Sequence, residues 1–539
     1  MLTRKRIPIF LSISAIVTGL SVTFSAYVGA LAWVSLIPMA LCIFKLAEDG
    51  TAPRRSYLYG LLFFELYYAV SFHWLVDMYP LDFTGLGNAA SVAVIILGLI
   101  GFPLLQAVVS ALLFPLCAAL MRSGGEARGR VMKIASLPCA FASFEFLQTL
   151  GAFGVPWSRL SLSQADAVLP IGIASVFGSY AVSFVIVLTN VLLALALRSF
   201  NSRSRAQKYA LCALAVFLVN LGTGATVFAI SKSNERSAET VRVGVVQGNH
   251  SSREKWTDSV DEALENQLEL ARLCAEDGAD IIVFSETALP FPLNRVEKSR
   301  ATLSEFAREN GTALLVGALL YEDGKYCNAV YCFESDGTYS ETVYVKRHLV
   351  PFGEYVPMEN FFEKFLPFLT EISVLSDPMT PGEDSELFFL ESATVGSLIC
   401  FDSIYETLPL DSVRDGAQII AVSTNDSWFS DSSGVYMHNN QSRLRAVELG
   451  RCVVRCANTG ISSFISSTGT VVSRIEALER GYLCEDVPVL TGRTPYSYIG
   501  NVFILFTTAF ITAPLIYGAV SNLKNKHENS TRGCTEDED

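Results

Sequence analysis

Apolar and polar positions alternate on two different scales along this chain. Up to about residue 230 the apolar stretches are long and the polar breaks between them short. A bilayer core needs roughly 17–25 apolar residues per helix. Residues 7–23, 26–46, 57–76, 89–121, 133–150, 168–198 and 209–231 meet that length, and an eighth stretch runs from 499 to 521. Pro103 or Pro115 predicts a kink inside the fourth. Apolar sequence resumes almost at once after the first stretch, with no convincing small-residue cleavage site, so it reads as a span and not a leader.

Between 240 and 490 the period shortens. Strands are predicted at 241–247, 280–286, 312–319, 328–333, 342–346, 394–400, 418–423, 453–455, 463–466 and 471–474. Helices are predicted at 258–276, 299–308 and 435–449. Strands and helices alternating this densely imply a layered α/β sandwich. No internal repeat is visible. The polar end, 526–539, predicts disorder. The division expected is a seven-span membrane region (1–231), a soluble domain (232–498), an eighth membrane helix (499–521) and a disordered tail (522–539).

Charge sharpens that division. Residues 232–498 hold 22 Lys and Arg against 40 Asp and Glu, while the rest of the chain holds 18 against 13. An acidic block is therefore set into a mildly basic, apolar frame, and no basic stripe suggests a nucleic-acid partner. Basic residues mark alternate loops: Arg4-Lys5-Arg6, Lys45 with Arg54 and Arg55, Arg122 to Lys133, Arg198 to Lys208, and Lys524 with Lys526. The intervening loop 77–88 has none, and 151–167 has only Arg159. Basic loops stay on the cytoplasmic side. The pattern puts both termini inside and 232–498 outside, which in a bacterium means the periplasm.

Three apolar strands end in chemically useful residues. Ile281-Ile282-Val283-Phe284-Ser285 leads to Glu286, Val343-Tyr344-Val345 to Lys346, and Val395-Gly396-Ser397-Leu398-Ile399 to Cys400. In a layered sheet fold such ends can converge. A thiol, a carboxylate and an ammonium together are a nucleophile, a proton acceptor and an oxyanion stabiliser for covalent acyl transfer. Glu354 is a candidate to orient Lys346 or Glu286, and Asp402 a candidate further support. Taken singly, each residue also has an ordinary reading as core or solvated surface. His348 offers a Cys–His pair as an alternative. Neither the Cys452/Cys456 spacing nor the five histidines form a metal-binding pattern, so no metal and no cofactor are expected.

The runs Glu286-Thr287-Ala288-Leu289-Pro290, Lys346 to Pro357 and Ile399-Cys400-Phe401-Asp402 resemble the carbon–nitrogen hydrolase (nitrilase) superfamily with its Glu-Lys-Cys triad. The second run is similar to the apolipoprotein N-acyltransferase branch. So are Val246-Gln247-Gly248-Asn249 with Trp256, Ser423 to Phe429 including Trp428, Arg445 to Arg451, Ala457 to Gly460, and Pro156-Trp157 with Ser163-Gln164. Family members commonly read Cys-Tyr-Glu where this chain reads Cys400-Phe401-Asp402, which leaves the role of Asp402 open.

The resemblance implies a nitrilase-like αββα sandwich on a membrane bundle of about eight spans. It implies an acyl chain passed from a phospholipid, phosphatidylethanolamine being the usual donor, to Cys400 as a thioester. The acceptor would be the N-terminal amine of an S-diacylglyceryl-cysteine apolipoprotein. It implies a multi-pass protein of the bacterial inner membrane. Trp256, Trp428, Trp157 and Gln164 would line the lipid site, with core packing as the alternative for each. The loop 359–392 is a candidate lid, and a monomer is the default. A membrane-tethered amidase using the same triad is the runner-up. A transporter or sensor is the reading from another class, disfavoured because the spans carry no ladder of ionisable residues.

Overall fold

The computed structural model describes residues 3–81, 87–122, 126–151, 154–251, 259–359, 363–364 and 378–535. Trp256 and the parts 360–362 and 365–377 of the predicted lid segment lie outside the described residues. Among those described, six helices are long and apolar enough to cross a membrane: Arg4–Thr23, Ser25–Glu48, Asn88–Arg122, Ser179–Arg198, Arg203–Ser237 and Val502–Ser521. The predicted stretches 57–76 and 133–150 fall on two further helices, Pro53–Ser71 and Glu126–Leu147. Charged residues shorten their apolar runs: Arg54, Arg55 and Glu65 in one, Arg128, Arg130, Lys133 and Glu145 in the other.

Several boundaries differ from the predicted ones for identifiable reasons. The fourth stretch breaks between Asn88–Ser110 and Leu113–Arg122, and Pro103 sits inside the first piece without ending it. Pro115 has no N–H for the carbonyl four residues back. That carbonyl, of Ala111, instead accepts from the Phe114 N–H at 3.2 Å. The predicted span 168–198 opens with two short helices, Val168–Ile171 and Ala174–Phe177. Its long helix starts only at Ser179, after Gly178 turns the chain at φ 80°. Helix Arg203–Ser237 has 35 residues, about 52 Å at 1.5 Å per residue. It outruns a hydrocarbon core of roughly 30 Å and leads almost directly into the first strand. The last helix runs Val502–Thr535, through most of the segment 522–539 predicted as disordered, and no proline after Pro514 stops it.

Among the described residues, the part between helices Arg203–Ser237 and Val502–Thr535 has thirteen strands. They are β1 Thr240–Gln247, β2 Ile281–Phe284, β3 Leu289–Pro292, β4 Ala313–Glu322, β5 Lys325–Phe333, β6 Tyr339–Val345 and β7 Leu387–Phe389. The remainder are β8 Thr394–Ile399, β9 Ile419–Thr424, β10 Cys452–Ala457, β11 Ser462–Ile465, β12 Val471–Ile475 and β13 Gly481–Pro488. One sheet runs β13-β1-β2-β4-β5-β6 with β3 alongside β4; the other runs β12-β11-β10-β9-β8-β7. The parallel centres, β1-β2-β4 and β8-β9-β10, are covered on both faces, which is why they read as unbroken apolar runs. Two prolines in β3, and Glu485 and Asp486 in the edge strand β13, hide those strands from a hydrophobic pattern.

The sheets pack face to face through Val243, Val245, Ile281, Val283 and Leu315 on one side and Val395, Ile399, Ile419, Ala421 and Val454 on the other. Helices Val260–Glu276 and Glu297–Asn310 cover the first sheet. Helix Ser433–Leu449 covers the second, and is buried nearly all round. Its residues Met437, Leu444, Ala446 and Val447 belong to one core with the membrane helices and with Leu398, Ile404, Val422 and Val453. A helix covered on every side needs no polar stripe. The sandwich domain is thus joined to the membrane part through a shared core.

Candidate active site

Glu286, Lys346 and Cys400 each lie just past the C-terminal end of a strand: β2, β6 and β8. The turn after β2 crosses close to β4. A Cβ at Gly317 would sit 2.1 Å from the Ser285 carbonyl oxygen, so only glycine lets that turn pass. Cys400 starts a short 3-10 turn, Cys400–Ile404, and has a left-handed φ of 49°. A non-glycine residue in that region costs about 1–3 kcal/mol and is typical of functional sites.

These strand ends converge. Lys346 Nζ donates to Glu286 Oε1 at 2.8 Å and to Glu354 Oε1 at 3.0 Å. The Asn328 side-chain amide, from β5, donates to the same two carboxylates at 2.7 and 3.1 Å. The Val350 N–H donates to Glu354 Oε2 at 2.9 Å. Lys346 is only 1% exposed. Burial opposes its charge, but the carboxylates of Glu286 and Glu354, with Cys400 nearby, outweigh that and hold its pKa well above the usual lysine range. Burial, then the negative charge of Glu286, pushes the Cys400 thiol up; Lys346 pulls against this and loses. Cys400 therefore rests as a neutral thiol, and to act as a nucleophile it would need a base.

Asp402 ties the elements together and does not join the cluster. Its Oδ2 accepts from Tyr344 OH at 2.9 Å and from the Ile399 N–H at 3.1 Å, and its Oδ1 from the His348 N–H at 2.7 Å. Burial raises its pKa to about 6 despite the attraction of Lys346. The ring of His348 packs edge-on against Tyr405, with centroids 4.0 Å apart. The histidine near Cys400 is instead His438, which the sequence reading did not single out. Cys400 Sγ, a ring nitrogen of His438 and a carboxylate oxygen of Asp426 all lie within 4.8 Å of one another. Among the described residues this is the one group with spacing for a metal. The Arg455 guanidinium, 2.7 Å from Asp426, already supplies a countercharge there.

Of the proposed lipid-lining residues, Trp157 is brought to this region. Its ring lies 5.4 Å from that of His438, 5.2 Å from Trp74 and 5.6 Å from Phe429. Trp428 is half-buried on the loop after β9, next to Phe429. Gln164 is placed within the membrane part. It accepts from Trp33 Nε1 at 2.9 Å and donates to the Gly29 carbonyl at 2.8 Å and Ser163 Oγ at 3.0 Å. Asn328, Tyr344, Asp426, His438 and Arg455 are site neighbours that strand-end reasoning missed.

The carbon-nitrogen hydrolase profile matches residues 242–496, and the profile of the apolipoprotein N-acyltransferase N-terminal domain matches residues 14–192. The apolipoprotein N-acyltransferase of Geobacter metallireducens is 30% identical over 487 residues, 88% of this chain and 88% of that one. The chain belongs to the apolipoprotein N-acyltransferase family. The family member from Methylococcus capsulatus is 28% identical over 474 residues, 86% of this chain and 88% of its own. An amidase from Nesterenkonia sp. aligns with 47% of this chain and 91% of its own, at 18% identity and a TM-score of 0.38. The two family profiles follow the two parts of the fold. One ends inside helix Ser179–Arg198; the other begins in β1 and ends at the short helix Pro495–Ile499.

Proposed function

We propose that the protein transfers an acyl chain from a phospholipid, through a Cys400 thioester, to the N-terminal amine of an S-diacylglyceryl-cysteine lipoprotein. Membership of the family supports the acyltransferase activity. The observation that carries the site assignment is the convergence of Glu286 and Lys346, 2.8 Å apart, beside a buried cysteine in a left-handed conformation.

In this reading Glu286 takes the Cys400 proton as sulfur attacks the donor ester carbonyl. Lys346 stays charged and stabilises the oxyanion. Glu286 returns the proton to the departing lysophospholipid oxygen, leaving the thioester. The acceptor amine then attacks the thioester carbonyl and its proton passes to Glu286. Collapse expels Cys400, which is reprotonated, and an amide remains. Glu354 shares Lys346 and Asn328 with Glu286 as a second carboxylate partner. Moving the proton from Cys400 to Glu286 relocates one negative charge within the cluster without changing its total, so burial does not add a second penalty. Phosphatidylethanolamine is the donor this reading favours, with the domain facing the periplasm from the inner membrane and the protein acting as a monomer. Helices on the same core hold the site beside the leaflet that carries both substrates, which raises their effective concentration.

The test supplies purified protein with radiolabelled phosphatidylethanolamine and a synthetic diacylated lipopeptide. Label should move to the peptide amine, and not when Cys400 is alanine. Ammonia release from simple amides with no phospholipid requirement would favour the amidase instead.

A further inference from the structure

The backbone of Cys400 is held by more than its strand. Its carbonyl oxygen accepts from Ser403 Oγ at 2.7 Å and lies 3.3 Å from His438 Nε2. Nε2 is also 3.2 Å from Ser403 Oγ. The other ring nitrogen, Nδ1, lies 2.9 Å from Arg455 Nη2 and 2.8 Å from Asp426 Oδ1. Arg455 Nη2 donates to Asp426 Oδ2 at 2.7 Å. His438, Asp426 and Arg455 are each no more than 1% exposed. They come from three elements: the helix Ser433–Leu449, the loop after β9, and the middle of β10. A Cβ at Gly460 would fall 2.2 Å from Asp426 Oδ2, so glycine there leaves room for the carboxylate.

We infer that His438, oriented by Arg455 and Asp426, is a positioning residue for the nucleophile, acting through the Cys400 carbonyl. This rests on Cys400 being the nucleophile. Burial, then Arg455, lowers the pKa of His438, so the ring is neutral and carries one N–H. Arg455 can only donate. Nδ1 faces both this donor and the acceptor Asp426 Oδ1, so the tautomer is part of the inference: Nδ1 takes the Arg455 hydrogen, and Nε2 carries the ring's own, aimed at the Cys400 carbonyl and Ser403. Asp426 keeps Arg455 in place. Its own pKa is held low because the Arg455 charge outweighs the cost of its burial. In that tautomer two donors, Ser403 Oγ and His438 Nε2, converge on the carbonyl of a residue in a strained conformation. That fixes the direction of the Cα–Cβ bond, and with it where Sγ meets the acyl carbonyl.

The test is single-turnover acylation of Cys400 by phosphatidylethanolamine in detergent, followed by intact mass, for the whole protein and three variants. His438→Ala should slow acylation at saturating donor by about 10- to 100-fold. The donor concentration giving half the maximal rate should not move. His438→Gln can place an amide N–H near the same carbonyl, and should recover most of the rate. Ser403→Ala should lose several-fold by the same route. A merely structural histidine would instead lower the melting temperature while leaving the rate per folded molecule unchanged, in all three variants, and that would overturn the inference. So would a Gln variant that folds yet acylates no faster than the Ala variant. If His438→Ala does not fold, the other two decide: wild-type rates in both overturn the inference, and a slowed Ser403→Ala beside a near-normal Gln variant supports it. A hydroxylamine-sensitive acyl chain acquired by Cys400→Ala would defeat the nucleophile assignment itself, whatever His438 does.

Discussion

Two buried charge clusters lie at the ends of the same short turn. At one end Lys346 faces Glu286 and Glu354, beside Cys400. At the other, Glu406 meets Arg159 from the membrane part and the hydroxyl of Tyr180, while Arg445 lies 3.8 Å from Glu406 and 2.9 Å from Glu448. The second cluster is balanced, two cations against two anions. It joins the loop at 159, helix Ser179–Arg198 and helix Ser433–Leu449 across the boundary between membrane and soluble parts. The first is unbalanced, one cation against two carboxylates. Burial alone therefore does not mark a site. What differs is the excess carboxylate beside the Cys400 thiol, which in the proposed mechanism leaves a base free to accept a proton. The balanced cluster leaves none, and on this reading it serves attachment.

Substitutions should separate the two roles. Lys346→Ala strips the cation from between two carboxylates, and acylation should fall about a thousandfold in single-turnover assays. Its stability should fall as well, because two anions are left facing each other in the interior. Glu406→Gln should cost about 3–5 kcal/mol in denaturant melts by leaving Arg159 without its partner. Activity per folded molecule should survive it. If Glu406→Gln removes activity without lowering stability, the division between the clusters is wrong. Glu354→Gln keeps hydrogen-bonding capacity but loses charge, and should slow acylation about 10- to 100-fold with little change in melting.

Acid should reach the attachment cluster through Glu406. Arg159 and Arg445 outweigh burial and hold its pKa at about 2, down from 4.5. A folded-state pKa below the unfolded one contributes stability that is full above the unfolded value. That contribution is lost as pH falls from 4.5 towards 2. The gap in melting temperature between wild type and Glu406→Gln should therefore be widest above pH 4.5 and close as pH drops towards 2. A gap that widens in acid would contradict the assignment.

The strand-end residues were legible because a charged or nucleophilic side chain closing an apolar strand breaks the hydrophobic pattern. Glu286, Lys346 and Cys400 all do so, and Glu354 follows in the same run as Lys346. Asp402 shared that signature but ties the Cys400 turn to β6, since its oxygens are taken by Tyr344 and two backbone N–H groups. The partners behind the nucleophile were harder to read. Asn328 and Tyr344 sit inside strands, and His438 on a helix whose both faces are covered, so no period points to them. Arg455 did leave a signal: a cation in the middle of Cys452-Val453-Val454-Arg455-Cys456-Ala457 must find an anion when that strand is buried. The break beside Pro115 follows the proline the sequence shows, whereas the helix start at Gly178 was missed because backbone chemistry there outweighed hydropathy.

The assignment of Cys400 is tested most directly by the intact mass of the detergent-purified protein after incubation with phosphatidylethanolamine and no acceptor. The expected result is a gain of one acyl chain, removed by hydroxylamine and absent from Cys400→Ala. Properly folded protein that gains no mass, or a Cys400→Ala protein that gains the same chain, would contradict it.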